Sequence, residues 1–485
     1  METLHVTRKH PGFIADLSRV IIQFYDPGGP DRIRNIIRRV TALTGDACRA
    51  ELEGVMEEFA DRHKDLEGAL LRNYHRINNF VEQPDKLSHE QRLLLGSYFS
   101  HEYSIESAAL FNPSIVLHPD QGDLPEGSKR YILSFRAIGE GHVSSITFRS
   151  GVINKGNHFI MDPVSPFVEK PIVEHNYTYD KEKFLLKLLE MPVEDEICAL
   201  IFNRLPNRFL FNELQESVRE LKKHKRPSLA LKETVELVFW LAEANYEESF
   251  QVQSNISERV IYPVSHNERN GIEDARFVRF VDDNGTVSYY ATYTAYSGQN
   301  ILPMLLRTKN FVKFTMSTLS GAATRNKGMA LFPRKIRGRY VMISRHDGEN
   351  LYISSSANIF SWNEIHVLTR PREPWEFIQI GNCGSPIETE KGWLLLTHGV
   401  GPLRKYCIGA ELLDLENPSK IIGRLKDPLL VPSEYERDGY VPNVVYSCGA
   451  VLHNDTLIIP YGISDTRSGF ATVRIQPLLR RLLAE

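Results

Sequence analysis

The sequence predicts a mainly β fold preceded by a helical region, and three observations carry that reading. From Asn112 onward, short runs rich in β-branched and aromatic residues, each ended by Gly, Asn, Asp or Pro, recur at intervals of roughly 8–12 residues. Before about residue 105 the apolar residues recur instead at helical spacing. At 485 residues the chain exceeds one ordinary compact core, which leaves two or three units or one large repetitive β architecture. Among sandwich, barrel and propeller, the number of strands favours a propeller of four-stranded blades, although no blade repeat is legible.

The helical region begins at Pro30 and Asp31, ahead of Ile33, Ile36, Ile37 and Val40 at i, i+3, i+4, i+7 spacing. Leu52, Val55, Met56 and Phe59 repeat the pattern, followed by Leu70, Tyr74, Ile77 and Val81, and then by Leu93 to Phe99. These apolar faces must bury against one another, the main body or a second subunit, so the region is also a candidate surface for homo-oligomerisation. The clearest strands are Tyr131 to Phe135, Val143 to Phe148, Val287 to Thr294, Tyr340 to Ser344, Leu351 to Ser355, Trp393 to Thr397, Cys407 to Leu412, Thr456 to Tyr461 and Ala471 to Ile475. Between about 165 and 250 the β pattern is interrupted. Lys183 to Leu189, Glu213 to Lys223 and Lys232 to Tyr246 read there as amphipathic helices, with Pro206 and Pro227 breaking the chain between them. The expected organisation is a helical region over 1–105, then a β domain over 106–485 with a helical insertion.

Composition narrows the function. Hydrophobic content of 42% and charged content of 25% are those of a globular protein, and a net charge of −3 gives no electrostatic footprint for nucleic acid or an anionic membrane. No apolar stretch approaches the ~20 residues of a membrane span, and the first residues lack the apolar core of a signal peptide. Five scattered cysteines without CxxC spacing read as reduced thiols in the cytoplasm, with neither a disulfide framework nor a zinc site. No P-loop, GxGxxG, HExxH or GxSxG occurs, and no cofactor or metal is expected.

The chemistry lies in Gly271-Ile-Glu-Asp-Ala-Arg276, where two carboxylates and a guanidinium fall within four residues. Such a group is either a solvated turn or a pocket floor in which neighbouring charges set a carboxyl's proton affinity. Other polar clusters sit at strand ends: Arg136, Asn326-Lys327, Arg345-His346, Glu388, His398 and Ser464-Asp465. In a propeller, strand ends and loops converge around the axis, so residues distant in sequence line one pocket. Carboxylates there suit acid–base work on a glycosidic bond; Arg, Lys and His suit an oxyanion.

Eight ordered motifs resemble glycoside hydrolase family 130, the β-mannoside phosphorylases and their hydrolytic relatives. They are Asn112-Pro113, Tyr131–Ala137, Gly271–Arg276, Tyr293–Tyr296, Asn326–Pro333, Gly392–Val400, Leu412–Pro418 and Val441–Tyr446. The resemblance implies a five-bladed β-propeller with inverting chemistry. In it Asp274 matches the general acid, which delivers its proton through a hydroxyl of the bound mannose. Asn112, Arg136 and Asp465, with Glu273 and Arg276, fall at sugar-binding positions, and Lys327, Arg345, His346, His398 and Tyr406 around inorganic phosphate. Ala275 replaces the family's usual Pro, and Glu388 stands where the phosphorylases carry a phosphate-binding Lys.

Three readings follow. The first is a phosphorylase that takes a β-mannoside oligosaccharide and inorganic phosphate and releases mannose 1-phosphate; the three basic residues Lys327, Arg345 and His398 favour it. The second is an inverting hydrolase with Glu388 as base to a water. The third is a propeller that only binds glycans, against which the intact Asp274, Arg136 and Asp465 argue. A further expectation is that burial and Glu273 raise the proton affinity of Asp274.

Overall fold

The computed structural model describes residues 4–174, 178–298 and 301–484. The protein is mainly β, with 36% strand and 28% helix. Its antiparallel strands form five successive groups. The first comprises Ala109–Leu117, Lys129–Ile138 and Ser144–Ile153, and the second Gly271–Val281, Val287–Tyr296, Ile301–Thr308 and Lys313–Thr318. A single parallel pairing of Gly271 with Ser144 merges these two into one eleven-stranded sheet. The third runs from Ala330–Leu331 to His366–Thr369, and the fourth from Gln379–Asn382 to Ile421–Arg424. In the fifth, Thr456–Ile463 and Arg467–Arg474 are joined by a strand from the other end of the chain, Thr7–Phe13.

Alternation along the strands buries apolar side chains between neighbouring groups. Phe148, Ile272, Phe277 and Tyr289 share one cluster between the first and second groups; Phe280, Leu331, Met342 and Trp362 share another between the second and third. Phe332, Ile353, Trp393 and Leu395 join the third to the fourth, and Leu396, Ile408, Ile459 and Val473 the fourth to the fifth. Leu133, Phe135, Ile458 and Phe470 then join the fifth to the first, where Leu110 N–H also donates to Thr466 O at 3.0 Å. No single sheet closes on itself among the described residues.

Helices Pro30–Thr41, Gly45–Phe59, Leu66–Ile77 and His89–Tyr98 lie where the apolar spacing places them. Ser88 caps the last of them, exchanging hydrogen bonds with Gln91. The region before 105 is not wholly helical, however. Thr7–Phe13 belongs to the fifth strand group, and Val20–Phe24 pairs with Ser100–Ser104. None of these three strands alternates cleanly enough in sequence to be read without its partner. The insertion holds helices Lys181–Leu188, Asp195–Phe202, Phe211–His224 and Leu229–Glu243 around their own core, which includes Phe184, Phe202, Phe209 and Leu241. Strand Tyr246–Ser249 then carries the chain back onto the sheet beside Lys313–Thr318.

One buried ionic knot ties these parts together. Glu106 accepts from Arg19 Nε at 3.0 Å and from Arg149 Nη2 at 2.8 and 3.0 Å, while Arg19 also donates to the carbonyls of Ser165 and Ser257. Arg19 and Glu106 are fully buried, and burial together with Arg149 pushes the Arg19 guanidinium down to about 10. Glu106→Gln is therefore expected to leave two buried guanidiniums with only the nearby Asp16 as counter-charge, at a cost of about 3–5 kcal/mol in urea unfolding. A loss well under ~1 kcal/mol would assign the anchoring to the apolar contacts instead.

Candidate active site

All five strand groups contribute side chains to one polar cluster. Asp274 stands at its centre, on a bulge between Glu273 and Arg276 where the chain leaves its regular pairing with the neighbouring strand. Its φ is 50°, and Asn112, in the bulge of the adjacent group, has φ 48°. Left-handed backbone at two non-glycine residues is strain that its surroundings must hold. Here Asn112 Nδ2 donates to Asp274 Oδ1 at 2.8 Å, and Arg276 Nη1 to the Asp274 carbonyl at 3.0 Å. Arg276 also donates to the Tyr446 hydroxyl, so its place in the structure is as a buried brace behind Asp274.

Arg136 donates to Glu273 Oε1 at 2.9 Å and lies 3.7 Å from Asp274 Oδ1. Glu273 is also 3.4 Å from Lys327 Nζ. Burial acts to raise the Asp274 carboxyl, but Arg136, Arg276, the Asn112 hydrogen bond and Lys327 outweigh it and hold the group below the ordinary carboxylate range. This reverses the expectation from sequence, because the neighbouring cations exceed what burial and Glu273 contribute. Asp465 takes the opposite course. Burial first, then Asp274, push it up to about 6, against the pull of Arg136 and Arg404.

A second wall is built from Arg345, His346, His398 and Tyr406. His398 is buried, and its Nδ1 faces the Asn382 carbonyl at 3.1 Å, which fixes the proton on Nδ1 and leaves a lone pair on Nε2. Arg345 Nη1 approaches that Nε2 at 3.5 Å. Burial, then Arg345 and Arg276, hold the imidazole well below its usual value, so His398 is neutral here rather than a third cation. Tyr406 stacks on it at 5.9 Å, and Tyr446 lies across it at 4.8 Å. Arg345 Nε, His346 Nδ1, Ser385 Oγ, Arg136 Nε and Asn112 Oδ1 are buried and without a hydrogen-bond partner among the described residues. Of these, Arg345 Nε, Arg136 Nε and Asn112 Oδ1 belong to residues with contacts in the two walls, where unsatisfied buried groups suit a ligand.

The two walls meet at Gly328: a Cβ there would lie 3.8 Å from Arg345 Cβ and 4.0 Å from Arg276 Nη2. Asn382 sets the distance between them, its amide donating to the Gly328 carbonyl while its own carbonyl holds His398. Sequence reasoning missed Asn382, and it passed over Tyr446 although that residue closes a quoted motif. The available signal was Gly381, next to Asn382. A Cβ there would stand 2.2 Å from His398 Cε1, so only glycine lets the imidazole lie across that strand.

Glu388 is not part of the cluster. It pairs with Trp393, five residues from His398 along one strand, or about 17 Å at ~3.3 Å per residue. Its half-exposed carboxylate is clamped by Arg334, Nε to Oε2 at 2.9 Å and Nη2 to Oε1 at 2.7 Å, and that hydrogen bonding holds it below the ordinary range. A carboxylate so placed is neither beside Asp274 nor free to take a proton from water, which removes the base of the hydrolase reading.

Comparison with known proteins covers the cluster from Glu273 to Asp465. The profile of a family described as beta-1,4-mannooligosaccharide phosphorylase, Glyco_hydro_130, matches residues 234–483, just over half of the chain. A 1,2-beta-oligomannan phosphorylase of Thermoanaerobacter sp. is 35% identical over 229 residues, covering 45% of this chain and 75% of that protein. A beta-1,2-mannobiose phosphorylase of Listeria innocua is 34% identical over 233 residues, covering 46% of this chain and 64%, less than two thirds, of that protein. The structure of a beta-1,2-mannobiose phosphorylase from Listeria innocua, in complex with beta-1,2-mannobiose, matches 79% of this chain and 94% of that one at 23% identity and a TM-score of 0.46.

The raised Asp465 carboxyl has a measurable consequence for stability. Because the folded chain holds that proton more tightly than the unfolded chain, stability is lost as pH rises from 3.8 through about 6. Asp465→Asn removes the loss. The variant should melt a few degrees above the parent at pH 7 and level with it at pH 3.5; a gap that does not change with pH would place the proton elsewhere.

Proposed function

The chain belongs to glycoside hydrolase family 130, and from that premise we propose that it is an inverting phosphorylase of β-linked mannosides, releasing mannose 1-phosphate. The observation that carries this reading is the second wall. Arg345 and Lys327 stand beside buried polar atoms without partners, and the carboxylates Glu273 and Glu388 are each held in an ion pair rather than free to activate water. A cationic recess of this kind suits a phosphate dianion, which brings its own nucleophilic oxygen and needs no protein base.

In this reading mannose binds between Asp274, Arg136 and Asp465, with Asn112 and Glu273 holding those groups in place. A phosphate oxygen attacks the anomeric carbon from the side opposite the leaving oxygen. The glycosidic C–O bond breaks, its electron pair goes to the leaving sugar, and the product is mannose α-1-phosphate. The leaving oxygen takes a proton from a mannose hydroxyl that Asp274 replenishes. In the ligand-free site Asp274 is held low by its cations, so phosphate binding itself supplies the missing condition: a dianion beside Lys327 and Arg345 offsets their charge and lifts the Asp274 carboxyl towards protonation. The Nε2 lone pair of His398 accepts the O–H of hydrogen phosphate, a role open to the neutral ring alone.

The five strand groups make the blades of a five-bladed propeller over residues 106–485. The apolar clusters that link each group to the next, and the fifth to the first, support that arrangement, as does the N-terminal strand that completes the fifth group. Residues before about 105 form a separate unit but for that strand. Five buried, unbridged cysteines fit a reducing cytoplasm.

The test begins with β-1,2-mannobiose, then the β-1,3 and β-1,4 isomers, with and without phosphate. Cleavage should require phosphate and yield mannose 1-phosphate. Arg345→Ala should raise the phosphate KM about 10- to 100-fold, the worth of a charge-assisted hydrogen bond, while Asp274→Asn should remove nearly all turnover. Glu388→Gln should leave the rate within about twofold, as surface substitutions usually do. Robust cleavage in phosphate-free buffer, lost in Glu388→Gln, would restore the hydrolase reading.

A further inference from the structure

Beyond the groups that face Asp274 lies an aromatic surface that the mechanism does not use. Asp465 sits in a turn in which it and Ser464 are both left-handed, with φ 51° and 47°. Tyr440 is fastened to that turn. Its backbone N–H donates to Thr466 Oγ1 at 3.0 Å, and the next N–H, of Val441, to Ser464 O at 3.2 Å. Yet the Tyr440 side chain takes no part in the core, being 75% exposed.

One face of that ring is backed. The imidazole of His142 stacks on it at 5.8 Å and 29°. His142 is itself exposed and left-handed, with φ 60°, and its loop is held from behind by the N-terminal unit: Tyr103 OH donates to Glu140 O at 2.9 Å. That contact is close-fitting, since a Cβ on Gly139 would meet Tyr103 Oη at 2.5 Å. Tyr440 is thus tied by its backbone to the turn that carries Asp465, and its exposed ring is backed on one face by His142. Arg404, on a third element, is close enough for its charge to act on Asp465.

We propose that Tyr440, backed by His142, is the platform on which the leaving sugar stacks, and that the N-terminal unit positions it through Tyr103. This rests on the β-mannoside reading above. A pyranose offers an apolar C–H face to an aromatic ring and a rim of hydroxyls to charged partners, and Tyr440 with Arg404 supplies both. A ring already held in place costs little ordering on binding. Asp465 borders the mannose in the reading above, and Tyr440, tied to the same turn, stands next along the substrate, away from the Lys327 and Arg345 that face the phosphate.

The synthetic direction separates the two sugars, with mannose 1-phosphate as donor and free mannose or mannobiose as acceptor. Tyr440→Ala should raise the acceptor KM about tenfold without moving the KM for mannose 1-phosphate, Tyr440→Phe should restore the parent value, and Tyr103→Phe should shift the acceptor KM in the same direction by less. An unchanged acceptor KM, or an equal rise in both, overturns the platform. Calorimetric titration with β-1,2-mannobiose, without phosphate, reads the same contact independently of turnover. A tenfold weaker Kd in Tyr440→Ala upholds the platform even if the parent proves not to be a phosphorylase. Equal binding by parent and variant, or no binding by the parent, removes it.

Discussion

Asp274 can stand where it does only because two guanidiniums and an amide hold it there. A carboxylate on a left-handed bulge, out of water, is unstable on two counts, backbone strain and lost hydration. Arg276 meets the first by binding the Asp274 carbonyl from behind, and Arg136 and Asn112 meet the second at the carboxylate itself. Each of these partners comes with its own constraint. Arg276 must reach Tyr446 in the fifth strand group, Arg136 must share Glu273, and Glu273 must share Lys327. The position of one side chain therefore fixes the spacing of three strand groups around it.

The same electrostatics divide the labour between carboxyls. Asp274 and Asp465 share Arg136, but Asp274 alone has Arg276 and Asn112 against it, so it is pulled down while Asp465, left with burial and a neighbouring negative charge, is pushed up. Pairs of titratable groups driven apart by their surroundings mark sites of proton transfer. In the proposed mechanism an entering anion changes the charge around Asp274, and that change couples the nucleophile's arrival to the acid's readiness.

The two additions to the β body are fastened in different ways. The insertion has its own aromatic core and returns to the sheet through a short strand paired on both sides, with Lys313–Thr318 and with Ile172–Glu174, while Glu190 reaches the backbone of Gly321 near the Lys327 loop. The N-terminal unit is fastened by a buried charge knot and by a strand that crosses to the far end of the chain. A knot of two guanidiniums around one carboxylate contributes little net stability but tolerates few alternative arrangements, which makes it suited to fixing orientation.

Sequence alone determined the elements whose signal is local. The four N-terminal helices, three of the four in the insertion and most central strands could be read from periodicity, since a helix face and a strand face each repeat within a few residues. Helix Asp195–Phe202 is apolar without interruption from Ile197 to Phe202 and so shows no stripe. The C-terminal helix Ile475–Ala484 carries Ile475, Leu478, Leu479 and Leu482 at helical spacing, but it follows its strand without a break, and the periodicity reading stops at Ile475 as the end of that strand. The residues of the site were also legible, as polar groups at strand ends and through the family motifs. Their electrical state was not. That Asp274 is low, His398 neutral and Glu388 committed to Arg334 depends on distances between groups up to some 160 residues apart, as Asn112 and Asp274 are. Proton affinity follows the sum of burial and nearby charge, and only the tertiary structure decides which charges are near.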